Sequence, residues 1–142
     1  MPKKENKSKS SFSFATDIKR LTTDNDSYRR VLYSSPHSQL VLMSIPPECE
    51  TGEENQESTD KMLFIVKGKA ESALNKRTRD VAKHDVIFVP AGNLHNLTNT
   101  GAHALKLFVV YSPPLFADGT VHNTQEDELE ARRKEFAYAW EQ

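Results

Sequence analysis

From Tyr28 onward, apolar and polar positions alternate in short runs, and turn residues interrupt them at intervals that suit strands rather than helices. The pattern predicts strands at Tyr28–Tyr33, Gln39–Ile45, Met62–Val66, Ala70–Leu74, Val86–Val89, His95–Thr98 and Ala104–Tyr111. Between them stand Ser34-Ser35-Pro36, Pro46-Pro47, Lys67-Gly68, Asn75-Lys76, Pro90-Ala91-Gly92 and Asn99-Thr100-Gly101, all turn chemistry. Leu40–Ile45 and Leu105–Tyr111 are apolar on both faces, as expected for strands in the middle of a two-layer barrel. No long helical period breaks the series, which disfavours crossover α/β folds. The reading is all-β.

The C-terminus has a different period. Thr124 and Asp127 are spaced as a capping box, and the first turn is acidic with Glu126, Asp127 and Glu128. Glu128–Arg132 and Glu130–Lys134 form favourable i,i+4 pairs. Leu129, Phe136 and Trp140 share one face, with the Arg133 stem between them. A helix of about four turns is expected over 124–142, docked by that stripe on the domain's own sheet, with a dimer contact as the alternative.

Composition narrows the class. The chain has 142 residues, enough for one domain with a hydrophobic core. With 27% charged residues and a net charge of −1, no overall field favours nucleic acid or acidic lipid. No apolar run approaches a membrane span, and the N-terminus has no secretory h-region. The single Cys49 cannot form an internal disulfide, so a soluble, cytoplasmic protein is expected. Residues 1–11 carry Lys3, Lys4, Lys7 and Lys9 among serines and are expected to be a disordered basic tail. Between Glu48 and Asp60 the charge is wholly acidic. Cys49 lies in that stretch, where acidic neighbours disfavour a thiolate and thiol catalysis.

Two segments carry chemistry. The first reads Glu48, five residues, Glu54-x-Gln56, four residues, Lys61, six residues, Gly68. The second reads His84, five residues, Pro90-x-Gly92, two residues, His95, three residues, Asn99. In spacing they resemble the two motifs of small single-domain cupins, of the subgroup loosely labelled mannose-6-phosphate isomerase-like. In type, only Gly68 matches in the first motif, whereas the second lacks only its leading glycine. Gly52-Glu53-Glu54, Asp60, Tyr111-Ser112-Pro113-Pro114 and Asp118–His122 also resemble that subgroup. The resemblance implies a double-stranded β-helix, or jelly-roll barrel, over residues 12–123, followed by the helix. It also implies that Glu54, Gln56, Lys61 and His95 converge inside the barrel, and that the protein pairs as a homodimer through sheet edges.

At those positions the family's metal ligands are largely replaced. Zn, Mn, Ni or Fe needs several imidazoles and a carboxylate. Here Glu54 and His95 remain, Gln56 offers only an amide oxygen, and the Lys61 ammonium repels a cation. A metal-free cluster is expected, with Lys61 paired to Glu54 and Gln56 hydrogen-bonded to His95. Were a metal bound, Glu54, Gln56 and His95, with His122 as an outside candidate, would hold it. His84 reads as a turn residue, His103 as surface, His37 as an unmarked loop residue, and His122 as a structural hydrogen-bonding group. Gly68 and Gly92 are expected where φ is positive, and Pro90 where a strand ends.

Three functions follow. The leading one is a non-catalytic barrel, with no cofactor, that binds a small molecule or serves as a structural dimer. The alternative is a metal-dependent isomerase or oxygenase using Glu54, His95 and Gln56 or His122. The third is metal-free acid/base chemistry on a sugar, with His95 as base and Tyr111 as acid.

Overall fold

The computed structural model describes the backbone of residues 13–141 and side chains through residue 135. The tail expected over residues 1–11 lies outside the described residues, as do the side chains of Phe136 and Trp140. The chain begins with α1 (Ile18–Asp24), β1 (Arg29–Ser34), β2 (Gln39–Ile45) and β3 (Glu54–Asn55). It continues through β4 (Asp60–Lys67), β5 (Lys69–Leu74), β6 (Arg77–Ala82), β7 (Val86–Val89) and β8 (Leu94–Asn99). It closes with β9 (Leu105–Ser112), β10 (Val121–His122) and α2 (Gln125–Glu141). All pairings are antiparallel, in a six-stranded sheet β10-β1-β2-β9-β4-β7 and a four-stranded sheet β3-β8-β5-β6.

The expected two-layer barrel is present, and alternation explains its core. Val41, Met43 and Ile45 of β2 lie opposite Val109, Leu107 and Leu105 of β9. All six side chains are buried, together with Leu63 and Ile65 of neighbouring β4 and Ala70 and Leu97 from the facing sheet. The second apolar face of these strands has its own cover. Phe64 stacks on Phe108 with ring centroids 4.7 Å apart, and α1 packs across β9, β4 and β2. The sequence gives little warning of α1; Asp17 caps it by accepting the Arg20 N–H at 3.1 Å.

β6 is absent from the sequence expectation because four of its six residues, Arg77–Asp80, are exposed, leaving Val81 as its buried apolar anchor. Its position is set by the turn before it. Asn75 and Lys76 have φ of 50° and 68°, the paired left-handed conformation of a two-residue hairpin. Gly68, between β4 and β5, has φ of 106°, and a Cβ there would meet Leu105 Cδ1 at 3.2 Å. Only glycine fits that crossover comfortably. Gly92 also has positive φ, at 86°, and Pro90 directly follows β7, both as expected.

The C-terminal helix forms with its predicted cap. The Asp127 N–H donates to Thr124 Oγ1 at 3.1 Å, and the Thr124 N–H donates to Asp127 Oδ2 at 3.2 Å. The Glu128–Arg132 pair is made at 3.2 Å, while Glu130 pairs with Arg133 at 3.0 Å rather than with Lys134. Of the three residues of the expected stripe, only Leu129 has a described side chain. Leu129 is 48% exposed, whereas Glu128 is 3% exposed. The helix enters the domain with a carboxylate. Among the described residues no helix is long and apolar enough to cross a membrane.

Candidate functional site

β3 exists to pair with β8, and its register sets Glu54 directly opposite His95. Opposite residues of an antiparallel pair share a face, so carboxylate and imidazole both belong to the inner side of the small sheet. His95 is 2% exposed, and its Nε2 lies 3.1 Å from Ser72 Oγ on β5. Two residues closer to the barrel's other end Leu97 fills core, and Asn99 is buried as well. The Asn99 amide donates to the Ile45 and His103 carbonyls at 2.8 and 2.9 Å, while its oxygen accepts the Gly101 N–H. Asn99 is therefore structural.

The large sheet contributes Lys61, which is buried and lies opposite Tyr111 in the β4–β9 register. Two expected contacts are not made. No ion pair within 4.0 Å joins Lys61 to Glu54, and His95 bonds Ser72 rather than Gln56. Gln56 instead donates to Glu54 Oε2 at 3.0 Å, and Arg132 of α2 approaches the same oxygen at 3.8 Å. The physical reason is reach. The amide two residues along from Glu54 satisfies it locally, and a helix arginine screens it from outside.

These surroundings decide the charges. Burial lowers the Lys61 ammonium below its ordinary range, and the Arg29 and Arg132 cations push the same way against the attraction of Glu54. Burial, with Lys61 nearby, lowers His95 to about 4, so the imidazole is neutral at pH 7. Tyr111 is displaced upward by burial, the opposite direction. An acid held upward and a base held downward are poorly matched for proton transfer near neutrality.

Arg29 is the residue that the sequence reading missed. It is 3% exposed and points inward from β1, with its Nε and Nη2 forked on the two carboxylate oxygens of Glu128. Nη1 donates to the Tyr111 hydroxyl at 2.7 Å, and the guanidinium lies 4.4 Å from the Phe116 ring centroid. Burial disfavours this cation, but Tyr111 and Glu128 outweigh it and hold the group charged. One signal was available in the sequence: Arg29 shares strand parity with buried Val31, whereas Arg30 beside it faces solvent.

The remaining histidines separate cleanly. His84 sits in a turn with φ of 79°, and His37 and His103 are exposed. His122 lies on β10 opposite Arg29, with its Nδ1 buried and unpartnered. It lines a cleft of about 430 Å³ at the barrel mouth with Gln56, Phe116, Glu128 and Arg132.

The donor set does not fit the metal that this fold often carries. Among the described residues, no three His, Cys, Asp or Glu side chains are grouped to hold an ion. Glu54 is engaged by Gln56 and Arg132, one nitrogen of His95 is engaged by Ser72, and an ammonium stands at the next position. A divalent cation would face too few donors and three nearby positive charges.

Comparison with known proteins agrees with the architecture. Residues 41–111 match the cupin domain family. The uncharacterized protein YrkC of Bacillus subtilis is 36% identical over 124 residues, covering 83% of this chain and 67% of its own. The uncharacterized protein L612 of Acanthamoeba polyphaga mimivirus is 36% identical over 104 residues, covering 70% of this chain and 65% of its own. The chain thus spans about two thirds of the length of these curated relatives. The crystal structure of BH2720 from Bacillus halodurans superposes with a TM-score of 0.82 at 32% identity, covering 84% of this chain and 96% of that one. An RmlC-like cupin with a double-stranded β-helix fold from Methanocaldococcus jannaschii gives 0.58 at 20% identity, covering 72% and 92%. Strand order, motif spacing and these likenesses agree: the chain belongs to the cupin domain family.

Proposed function

We propose that this protein is a metal-independent cupin that binds a small polar molecule in its barrel without transforming it. The observation that supports this reading is Lys61, a buried ammonium in the position of a metal ligand, with no ion-pair partner among the described residues. Such a group repels a cation and offers three donors to a ligand oxygen. Calorimetric titration with Zn, Mn, Ni and Fe(II) tests the reading. Wild type should show no tight stoichiometric binding. The Gln56→His, Lys61→Gln double variant should acquire it, because an imidazole returns and the positive charge leaves. Tight binding to wild type, abolished by His95→Ala, refutes the proposal in favour of a metal-dependent isomerase or oxygenase.

Homodimerisation belongs to the same reading. Val86 and Phe88 on the edge strand β7 are each 52% exposed and lie beside Phe64 and Met62 in the β4–β7 register. An apolar sheet edge of this kind needs covering. Sedimentation showing monomer at high protein concentration would remove this part. A cytoplasmic location fits the unpaired, half-buried Cys49.

A further inference from the structure

The contact between Glu128 and Arg29 carries an inference that rests on the small-ligand reading and names the ligand's chemistry. The side-on fork of Arg29, with Nε and Nη2 on two coplanar oxygens, is the geometry by which guanidinium recognises a carboxylate. Arg132 adds a third donor at 3.2 Å, and Tyr111 fixes the remaining arm of the fork. As a way to dock a helix this is poor. Desolvating both charges offsets much of their attraction, and α2 leaves Leu129 outside. Among the described residues its other side-chain ties are light: Gln125 donates to the Glu50 carbonyl at 2.8 Å, and Arg132 lies 3.8 Å from Glu54.

The surroundings are richer than Glu128 needs. Among the described residues two buried polar side-chain atoms lack any partner, the Tyr28 hydroxyl and His122 Nδ1. Both flank this spot. Tyr28 is 2% exposed, its ring lies 5.6 Å from the Arg29 guanidinium, and it is within electrostatic reach of Glu128 and Glu54. His122 shares the 430 Å³ mouth cleft with Glu128 and Arg132. Buried polar groups are rarely left unpaired without a reason. Here the orphaned hydroxyl and imidazole nitrogen flank a carboxylate that has no further oxygen to give them.

We propose that Arg29, Tyr111 and Arg132 form a carboxylate-binding site at the barrel mouth, occupied in this closed form by Glu128 of the protein's own helix. A small hydroxy- or oxo-carboxylic acid displaces Glu128, α2 lifts, and the ligand's additional oxygen accepts from the Tyr28 hydroxyl. Glu128 is then an internal competitor that lowers apparent affinity by the fraction of time the helix is closed.

The test uses the full chain, with chelator present throughout and ionic strength held constant. Acetate, lactate and pyruvate are titrated against chloride and sulfate controls, with binding read by calorimetry and melting temperature. Glu128→Ala should melt below wild type in chloride and recover saturably with carboxylate, lactate and pyruvate acting at lower concentration than acetate. Its apparent affinity for lactate should exceed that of wild type by about tenfold or more. Glu130→Ala, which removes an exposed helix carboxylate, should behave as wild type. Equal affinity in wild type and Glu128→Ala, or a carboxylate response no larger than that to chloride, overturns the proposal. Should Glu128→Ala not fold, Glu128→Gln takes its place. Hydrogen exchange on wild type then provides the independent reading: lactate must speed exchange across Gln125–Arg132. No acceleration at the highest soluble lactate concentration overturns the proposal as well. Because metal binding is scored by the separate titration above, a negative result here leaves the metal-free reading standing.

Discussion

Two lysines are buried at opposite ends of the same sheet, and they are buried in different ways. Lys106, at the start of β9, donates to the Asn25 carbonyl at 2.5 Å, Ser44 Oγ at 3.0 Å and Asp26 Oδ1 at 3.1 Å. Three protons meet three acceptors, so this cation is a fastener between the sheet and the segment after α1. Lys61, opposite the far end of β9, has no ion pair among the described residues and is held below its ordinary pKa by burial. The closed end surrounds its charge with acceptors, and the mouth does not. The contrast separates a buried cation matched by three acceptors from one with no ion pair among the described residues.

The strongest way to break the comparison is through the third buried cation. Arg29→Met should lose about 3–5 kcal/mol, because it strands Glu128 in the barrel mouth; Arg132 holds the loss toward the lower figure. Chemical denaturation measures it, and a loss below about 1 kcal/mol, the scale of an exposed pair, would show that the mouth does not depend on this pair.

Next in size is acid. The His95 pKa in the folded state, about 4, lies below the ordinary 6.5, so the unfolded chain binds the proton first. Stability should be fully present above pH 6.5 and fall as pH drops toward 4, by about 3 kcal/mol at 1.36 kcal/mol per unit. His95→Gln should flatten that window. An unchanged slope in the variant would place the acid sensitivity elsewhere.

The two lysines themselves give the smaller effects, of opposite sign. Lys106→Met should cost about 2 kcal/mol by leaving a buried carbonyl and hydroxyl unmatched. Lys61→Met should raise stability by about 1 kcal/mol at neutral pH, since a charged group in an unmatched site is replaced by an apolar one of similar length. If both variants lose stability equally in parallel melts, the distinction between fastener and free donor is wrong.

What the sequence disclosed follows the same line. Gln39–Ile45 and Val86–Val89 were readable to the residue, because short apolar runs of strand length bounded by turn residues mark a strand whatever its partner. β6 hid behind RTRD, and β3 and β10 are two residues long, too short for any period. In the site, the nearness of Glu54 and His95 was implied by the resemblance of the two motifs to the cupin pattern, though not their direct pairing across β3 and β8. Arg29 and Glu128 could not be paired from the sequence, since they are 99 residues apart and only the closed barrel brings them together. The same holds for the hydrogen-bond partner of His95: nothing in the linear order distinguishes Ser72 from Gln56.

The position of β9 has a kinetic consequence. It lies between β2 and β4 in the centre of the large sheet, and Ile45 of β2 waits for Leu105. Until β9 is in place, two strands apolar on both faces stand without their common neighbour. The hairpin of β5 and β6, closed by Asn75 and Lys76, needs no distant segment. Assembly is therefore paced by one long-range event, on the millisecond-to-second scale typical of nonlocal β topologies. In that interval the unpaired edges of β2 and β4 are the chain's most adhesive surfaces.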